Sequence, residues 1–190
     1  MDVFEAIKGR RSCRKFIEYP VEREKIIKML GCAIYAPSPA NKQPWEFIVT
    51  NNMRYNQMLK KVAESTKEKL AARSGWKWLA TFNINFITEA PILIVVVGDP
   101  KQHGAEQFLD APSLGYQHAC SASIQNMLLA AYAQGLSTLW LSLFEKKDVR
   151  KIFSIADEKD PLAIICVGYG EQSGETPPRK GIQEKVIFLS

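Results

Sequence analysis

Hydrophobic positions along this chain recur with two periods, and the switches between them mark its elements. Val3, Phe4 and Ile7 return at helical spacing behind Asp2, a good N-cap, so a short helix is expected at the start. Ile26, Ile27, Leu30 and Ile34 predict a second helix ending near Ala36, with these four residues facing inward and Pro20 as its first-turn proline. "EFIVT", Glu46 to Thr50, reads as a strand. From Met53 to about Ala72 the stripe Met58, Leu59, Val62 and Ala63 predicts a long helix with lysines outside. "ILIVVV" lies within a strand predicted over 91–98 and buried on both faces. "YQHACSASIQNMLLAAYAQG" predicts a helix closed by Gly135. It is apolar or small almost all round, and so is expected in a core or across a subunit interface. "STLWLS" reads as a strand, "EKKDVRKIFSI" as a short helix and "LAIICVGYG" as another buried strand. "SGWKWLATFNINFITEA" shows no usable period, and Asp99 to Ser113 reads as a loop or lid. The final twenty residues begin as a Pro- and Gly-containing linker and end in the strand-like "VIFLS". Strands separated by helices imply a sheet with helices on both faces.

Composition narrows this picture without changing it. A chain of 190 residues that is 46% hydrophobic and 24% charged suits one ordinary domain. Its longest aliphatic run is far too short to span a bilayer, so no membrane partner is expected. "MDVFEAIKGRRS" has acidic residues before any basic cluster and no apolar run behind it, unlike a secretory signal. Cys13, Cys32, Cys120 and Cys166 lie far apart with no C-x-x-C pair, so no metal site or disulfide framework is expected. Reduced thiols in a cytoplasmic protein are the default reading. With two histidines in the whole chain, chemistry built on imidazole is disfavoured.

Charge is more informative by place than by sum. The formal +5 is modest, but residues 8 to 15, "KGRRSCRK", carry five basic side chains and no acid. Arginines and a serine hydroxyl there would clamp an oxyanion, since guanidinium groups bind phosphate bidentately. A solvated basic face is the plainer alternative. A nucleic-acid arm lacks any helix-turn-helix, zinc-finger or RNA-binding signature. In "APSPANKQPWEF", Ala36 to Phe47, prolines stiffen the backbone, while Asn41 and Gln43 offer paired donors and acceptors suited to a heterocycle edge. The same loop could merely cap a helix above a core Trp45. Arg179 and Lys180 follow a Pro-Pro corner near the C-terminus. No G-x-G-x-x-G, Walker sequence or Ser-His-Asp spacing is present.

Taken in order, "RRSCRKF", "APSPANKQPWEF", "CSASIQNMLLAAYAQGLSTLWLS" and "PPRK" resemble the nitroreductase-like family of FMN-dependent oxidoreductases, from Val3 to about Phe188 and most weakly over 53–113. The resemblance implies an α+β fold: a central mixed, mainly antiparallel sheet with helices on both faces. It implies one domain over 1–190, with 171–190 extending onto the partner of a homodimer that holds FMN at the subunit interface. Carried over by motif, Arg10, Arg11 and Ser12 lie along the FMN phosphate and ribityl chain, and Arg14 approaches the flavin N1–C2=O edge. Arg179 with Lys180 completes the phosphate clamp. Pro37, Ser38 and Asn41 reach the flavin from the other subunit, supported by Gln43, in a loop expected to be ordered only in the dimer. The turn around Ser142 and Leu143 presents backbone near N5 and O4.

The implied activity is ping-pong hydride transfer from NADH or NADPH, through flavin N5, to a small-molecule acceptor such as a nitroaromatic or quinone. Reductive dehalogenation and oxidative cleavage of flavin itself are narrower jobs on the same scaffold. A flavin-binding electron carrier or sensor is the alternative from another class. "LSLF" stands where many relatives have glycines, and His118-Ala119 where many carry an acid. Residues 76 to 116 are expected to form much of the acceptor pocket. Trp45, Phe108 and Tyr116 are either its aromatic wall or ordinary core.

Overall fold

The structure is a computed structural model and describes residues 1–110, 113–171 and 177–189. Helix α1 (Val3–Gly9) starts from Asp2 in a capping box. The Glu5 amide donates to Asp2 Oδ1 at 2.8 Å and the Asp2 amide donates to Glu5 Oε2 at 2.9 Å. Only Ala6 of this helix is buried; Val3, Phe4 and Ile7 are exposed. Helix α2 (Arg23–Ala33) begins three residues beyond Pro20, which therefore precedes the helix instead of opening it. Its inward face is Ile26, Met29 and Ala33 with Leu30 partly covered, while Ile27 and Ile34 point outward, against expectation. Ile26 and Ile27 sit about 100° apart on a helix, so one of the pair must leave a narrow contact face.

Strand β1 (Trp45–Thr50) leads into the long α3 (Met53–Ser74). That helix is capped by Asn52, which accepts from the Arg54 amide, and it ends where Gly75 turns left-handed at φ 68°. The aromatic stretch without a period forms two short helices, α4 (Lys77–Thr81) and α5 (Phe86–Glu89). Strand β2 (Ile92–Gly98), α6 (Gly115–Ala133), β3 (Ser137–Leu141), α7 (Lys146–Phe153) and β4 (Asp160–Gly168) follow. Gly135, at φ 76°, closes α6 as expected.

The four strands run β1-β2-β4-β3, every pair antiparallel, with Ile92 opposite Val167 and Ser137 opposite Gly168. One isolated parallel bridge, Ser12 to Thr138, lays the chain after α1 beside β3. Alternation divides the sheet's side chains into two buried layers. Ile92, Ile94, Val96, Ala163, Ile165 and Val167 pack with α2 and α6. Leu93, Val95, Val97, Ile164 and Cys166 pack with α3, α5 and α7. Each fully buried valine, leucine or isoleucine among them contributes roughly 1.5–3 kcal/mol, which makes β2 and β4 the centre of the fold.

Helix α6 buries one broad face, from Tyr116 to Ala131, and leaves His118, Ser121 and Gln125 in the open. Among the described residues the C-terminal segment holds a single 3₁₀ turn, Ile182–Glu184. Residues 186–189 form no strand with this chain, contrary to their pattern, and Ile187, Phe188 and Leu189 are exposed. No described helix is long and apolar enough to cross a membrane.

Candidate functional site

Two ends of β3 organise the site. At its first residues, the Cys13 amide donates to the Thr138 carbonyl at 2.9 Å, which pins "RRSCRKF" along the strand edge. Gly9 lets α1 close down on α6, because a Cβ there would collide with the Tyr132 ring. Arg10 follows as the C-cap of α1, half-buried, its amide donating to the Ala6 carbonyl. Burial lowers the Arg10 pKa first, and the charges of Arg11 and Arg179 lower it further. Arg179, exposed near the other end of the chain, thus lies close enough for its charge to act on Arg10. Arg11 Nη1 donates to the carbonyls of Lys8 at 2.6 Å and Arg10 at 2.8 Å, curling its side chain back over the α1 terminus. Ser12 is half-buried at the bridge, and Arg14 is exposed, with a long 3.5 Å hydrogen bond from Nη1 to the Ser12 carbonyl. Lys180 is exposed and is not among the charges acting on Arg10.

At the far end, β3 leads into the turn of Ser142 and Leu143. Ser142 is exposed, and its carbonyl accepts from the Phe144 amide at 3.1 Å, while Leu143 packs on the α3-side core. Ser142 lies in the wall of a cleft of about 250 Å³ between α6 and β3, together with Gln117, Ser121, Trp140, Phe144 and Lys146. From Thr138 to Ser142 the strand covers about 13 Å, so an elongated molecule with an anionic head and a planar tail would span both ends. Lys146 entered the site unforeseen, because one lysine among several in "EKKDVRK" has nothing in sequence to set it apart. It is held by Asp160, whose Oδ1 and Oδ2 lie 2.7 and 2.8 Å from Lys146 Nζ. The Tyr116 hydroxyl donates to Asp160 Oδ2 at 3.0 Å and accepts from Gln117 Nε2 at 3.0 Å. Burial, ahead of the Asp160 charge, raises the Tyr116 pKa.

The loop of Pro37, Ser38, Asn41 and Gln43 contributes no lining residue to that cleft on its own chain. It is wound on itself. Ser38 Oγ accepts from the Gln43 amide at 3.0 Å, the Ser38 carbonyl accepts from the Asn41 amide at 3.0 Å, and Gln43 Nε2 donates to the Asn41 carbonyl at 3.4 Å. Ala40, Asn41 and Gln43 are all left-handed, with φ of 47°, 54° and 48°. For alanine and glutamine that conformation costs on the order of 1 kcal/mol each, a strain that such loops carry at functional positions. Pro39 presses so closely on the segment before α6 that a Cβ at Gly104 would lie 2.6 Å from its own Cβ. The loop therefore packs against the chain around Gly104.

The aromatic candidates separate. Trp45 is buried in the α2–α6 core and Tyr116 is buried against Asp160, so both are packing residues in this chain. Phe108, in the 3₁₀ turn Ala105–Phe108, is 83% exposed and stays available as a wall.

The model of the nitroreductase family matches residues 7–169. A protein of Methanothermobacter thermautotrophicus with the provisional name NADH dehydrogenase/NAD(P)H nitroreductase is 32% identical over 180 residues, covering 93% of this chain and 81% of the relative. A 5,6-dimethylbenzimidazole synthase of Rhodospirillum rubrum is 26% identical over 176 residues, covering 88% of this chain and 82% of the relative. An iodotyrosine deiodinase crystallised with FMN and 3-iodo-L-tyrosine shares the fold, with a TM-score of 0.81 at 22% identity, over 99% of this chain and 98% of that one.

Proposed function

This chain belongs to the nitroreductase family, and from that premise we propose that it is an FMN-dependent oxidoreductase acting as a homodimer. It takes hydride from NADH or NADPH and passes it to a nitroaromatic, quinone or similar conjugated acceptor. The observation that carries this reading is the basic segment pinned beside the start of β3 by the Cys13–Thr138 hydrogen bond and the Ser12–Thr138 bridge, where the charges of Arg11 and Arg179 act on Arg10, with the Ser142 cleft at the other end of the strand. Arg10 and Arg11 are half-buried and Arg179 is exposed; like charges so placed disfavour one another, and a phosphate dianion relieves that repulsion by charge-assisted hydrogen bonds. The donor set fits FMN.

In this arrangement Arg10, Arg11, Ser12 and Arg179, with Lys180 beside them, hold the phosphate and ribityl chain. Arg14, exposed and lightly tethered, is free to reach the N1–C2=O edge, where a fixed cation favours the charge that accumulates on reduction. Ser142 and Leu143 offer backbone groups to the N5 side. Pro37, Ser38 and Asn41 act on the partner's cofactor, with Gln43 locking the turn, which agrees with their absence from the lining of their own chain's cleft. When bound, FMN supplies the two-electron chemistry; the protein binds, orients and tunes. The exposed apolar residues of α1, Val3, Phe4 and Ile7, and of the C-terminal arm, Ile187, Phe188 and Leu189, are the kind of surface a second subunit covers.

The test is spectroscopic. The purified protein, after addition of FMN and removal of excess, should be yellow. It should bleach anaerobically with NADH or NADPH and regain its colour on adding a nitroaromatic or quinone. A protein that takes up no FMN would end the proposal, and one that binds FMN but is not bleached would be a carrier or sensor.

A further inference from the structure

A second cleft lies between the last residues of the arginine motif and those that follow it, the start of α3, and the residues leading into β2. It measures about 690 Å³ and is lined by Phe16, Glu18, Tyr19, Asn56, Glu89 and Pro91 among others. That size suits a small organic ligand. Nothing in the proposed oxidoreductase activity uses it.

Asn56 is its unusual member. The side chain is 1% exposed, and its Nδ2 donates to the carbonyls of Ile87 at 3.1 Å and Ala90 at 2.9 Å. Those two acceptors fix the orientation of the amide, because a flipped Asn56 would set its oxygen against two carbonyls. Oδ1 is consequently an acceptor, and it is buried with no partner. A buried acceptor left unmatched costs roughly 1–3 kcal/mol, and native folds rarely retain one without a use. Asn56 borders the cleft, and a donor that enters it and parts the wall over Oδ1 would satisfy that atom.

The surrounding charge narrows the donor's chemistry. Glu18 and Glu89 stand in the cleft wall. Lys15, the cation of that wall, is engaged by Glu171 at 2.9 Å, a hydrogen bond that raises its pKa. The cleft therefore keeps a negative balance. Phe16, Tyr19, Pro20 and Pro91 supply apolar and aromatic surface beside it, where a cation with an aromatic body gains from both packing and ring faces. We propose that this cleft binds a primary ammonium carried on an aromatic or alkyl body, its N–H groups directed to Asn56 Oδ1 and the Glu89 carboxylate.

The experiment uses full-length protein loaded with FMN where it binds, with 2-phenylethylamine as the probe and 2-phenylethanol as its neutral counterpart, followed by amide chemical shifts. The expected result is saturable shifts at residues 15–19, 53–56 and 88–90 with the amine alone. The double substitution Glu18→Gln and Glu89→Gln should weaken binding about tenfold through lost attraction at the cleft. Asn56→Leu should abolish binding. Since it also strips two carbonyls of their donor, the carboxylate variants carry the test if it misfolds. Absence of saturation, equal binding of the alcohol, or shifts elsewhere would overturn the proposal. So would binding only after residues 182–190 are removed, which would make the cleft the seat of a neighbouring subunit's arm. None of these readouts depends on cofactor chemistry, so this inference and the proposed activity can fail separately.

Discussion

The Arg10 guanidinium is held where burial and two like charges oppose its ionised form, and an anion bound beside it removes the opposition. Arg10→Ala and Arg179→Ala should each weaken FMN binding by about 1.5–3 kcal/mol, the usual range for hydrogen bonds to charged groups. Fluorescence titration of FMN measures this directly, and unchanged affinity in both would displace the phosphate from this end of β3. The Arg10–Arg14 cluster was legible because runs of like charge are visible in any sequence. The nearness of Arg179 was suggested only by family likeness, since nothing local connects residues so far apart. Trp45 and Tyr116 could not be assigned from sequence, because an aromatic side chain is core or wall according to what packs on it. Cys120 gives a pH prediction at the same scale. Burial pushes its thiol up to about 12, above the roughly 8.5 of an unfolded chain. The folded state thus holds its proton where the unfolded state releases it. The stabilisation is complete below about pH 8.5 and is lost as pH rises toward 12. Urea midpoints of the native chain should fall more steeply between pH 8 and 10 than those of Cys120→Ala; parallel slopes would contradict the shift.

Among elements, the loop from Pro37 to Gln43 invests strain in holding its shape. Ala40 adopts φ 47°, so Ala40→Gly should leave stability unchanged or raise it by up to about 1 kcal/mol, against the loss expected at an ordinary alanine. A clear loss on denaturant unfolding would mean the turn is not left-handed there. The Asp160 carboxylate joins α6, α7 and β4 through Tyr116 and Lys146. Asp160→Asn should lower stability by about 1–3 kcal/mol, since hydrogen bonds to a charged group are replaced by weaker ones. Thermal unfolding checks this. The long periodic elements α3, α6, β2 and β4 could be read directly. Helices α4 and α5, five and four residues long, are too short to establish a period. The face of α2 was misread because Ile26 and Ile27 weigh equally in sequence, whereas Met29 and Ala33 take the contact.

At the scale of the whole molecule, apolar surface is left at both termini. Phe188 is 91% exposed and Leu189 93%, which is costly for a lone chain and natural for an arm that packs on a second copy. Deleting residues 182–190 should therefore shift sedimentation from dimer toward monomer and reduce FMN retention with it. The strand pattern of "VIFLS" could be seen in the sequence, but whether it pairs could not, because pairing depends on a strand edge that the segment does not itself supply. The proposed site draws its arginines from one subunit and its Ser38–Asn41 loop from the other, and mixed dimers test this most directly. One subunit carries Arg10→Ala with Arg179→Ala, and the other carries Ser38→Ala with Asn41→Ala. If the site is shared, both lesions fall on the same cofactor in the mixed dimer and the second site is intact, so one tightly held FMN per dimer is predicted. If each subunit builds its site alone, both sites are damaged and no tightly held FMN remains, which would contradict the shared site.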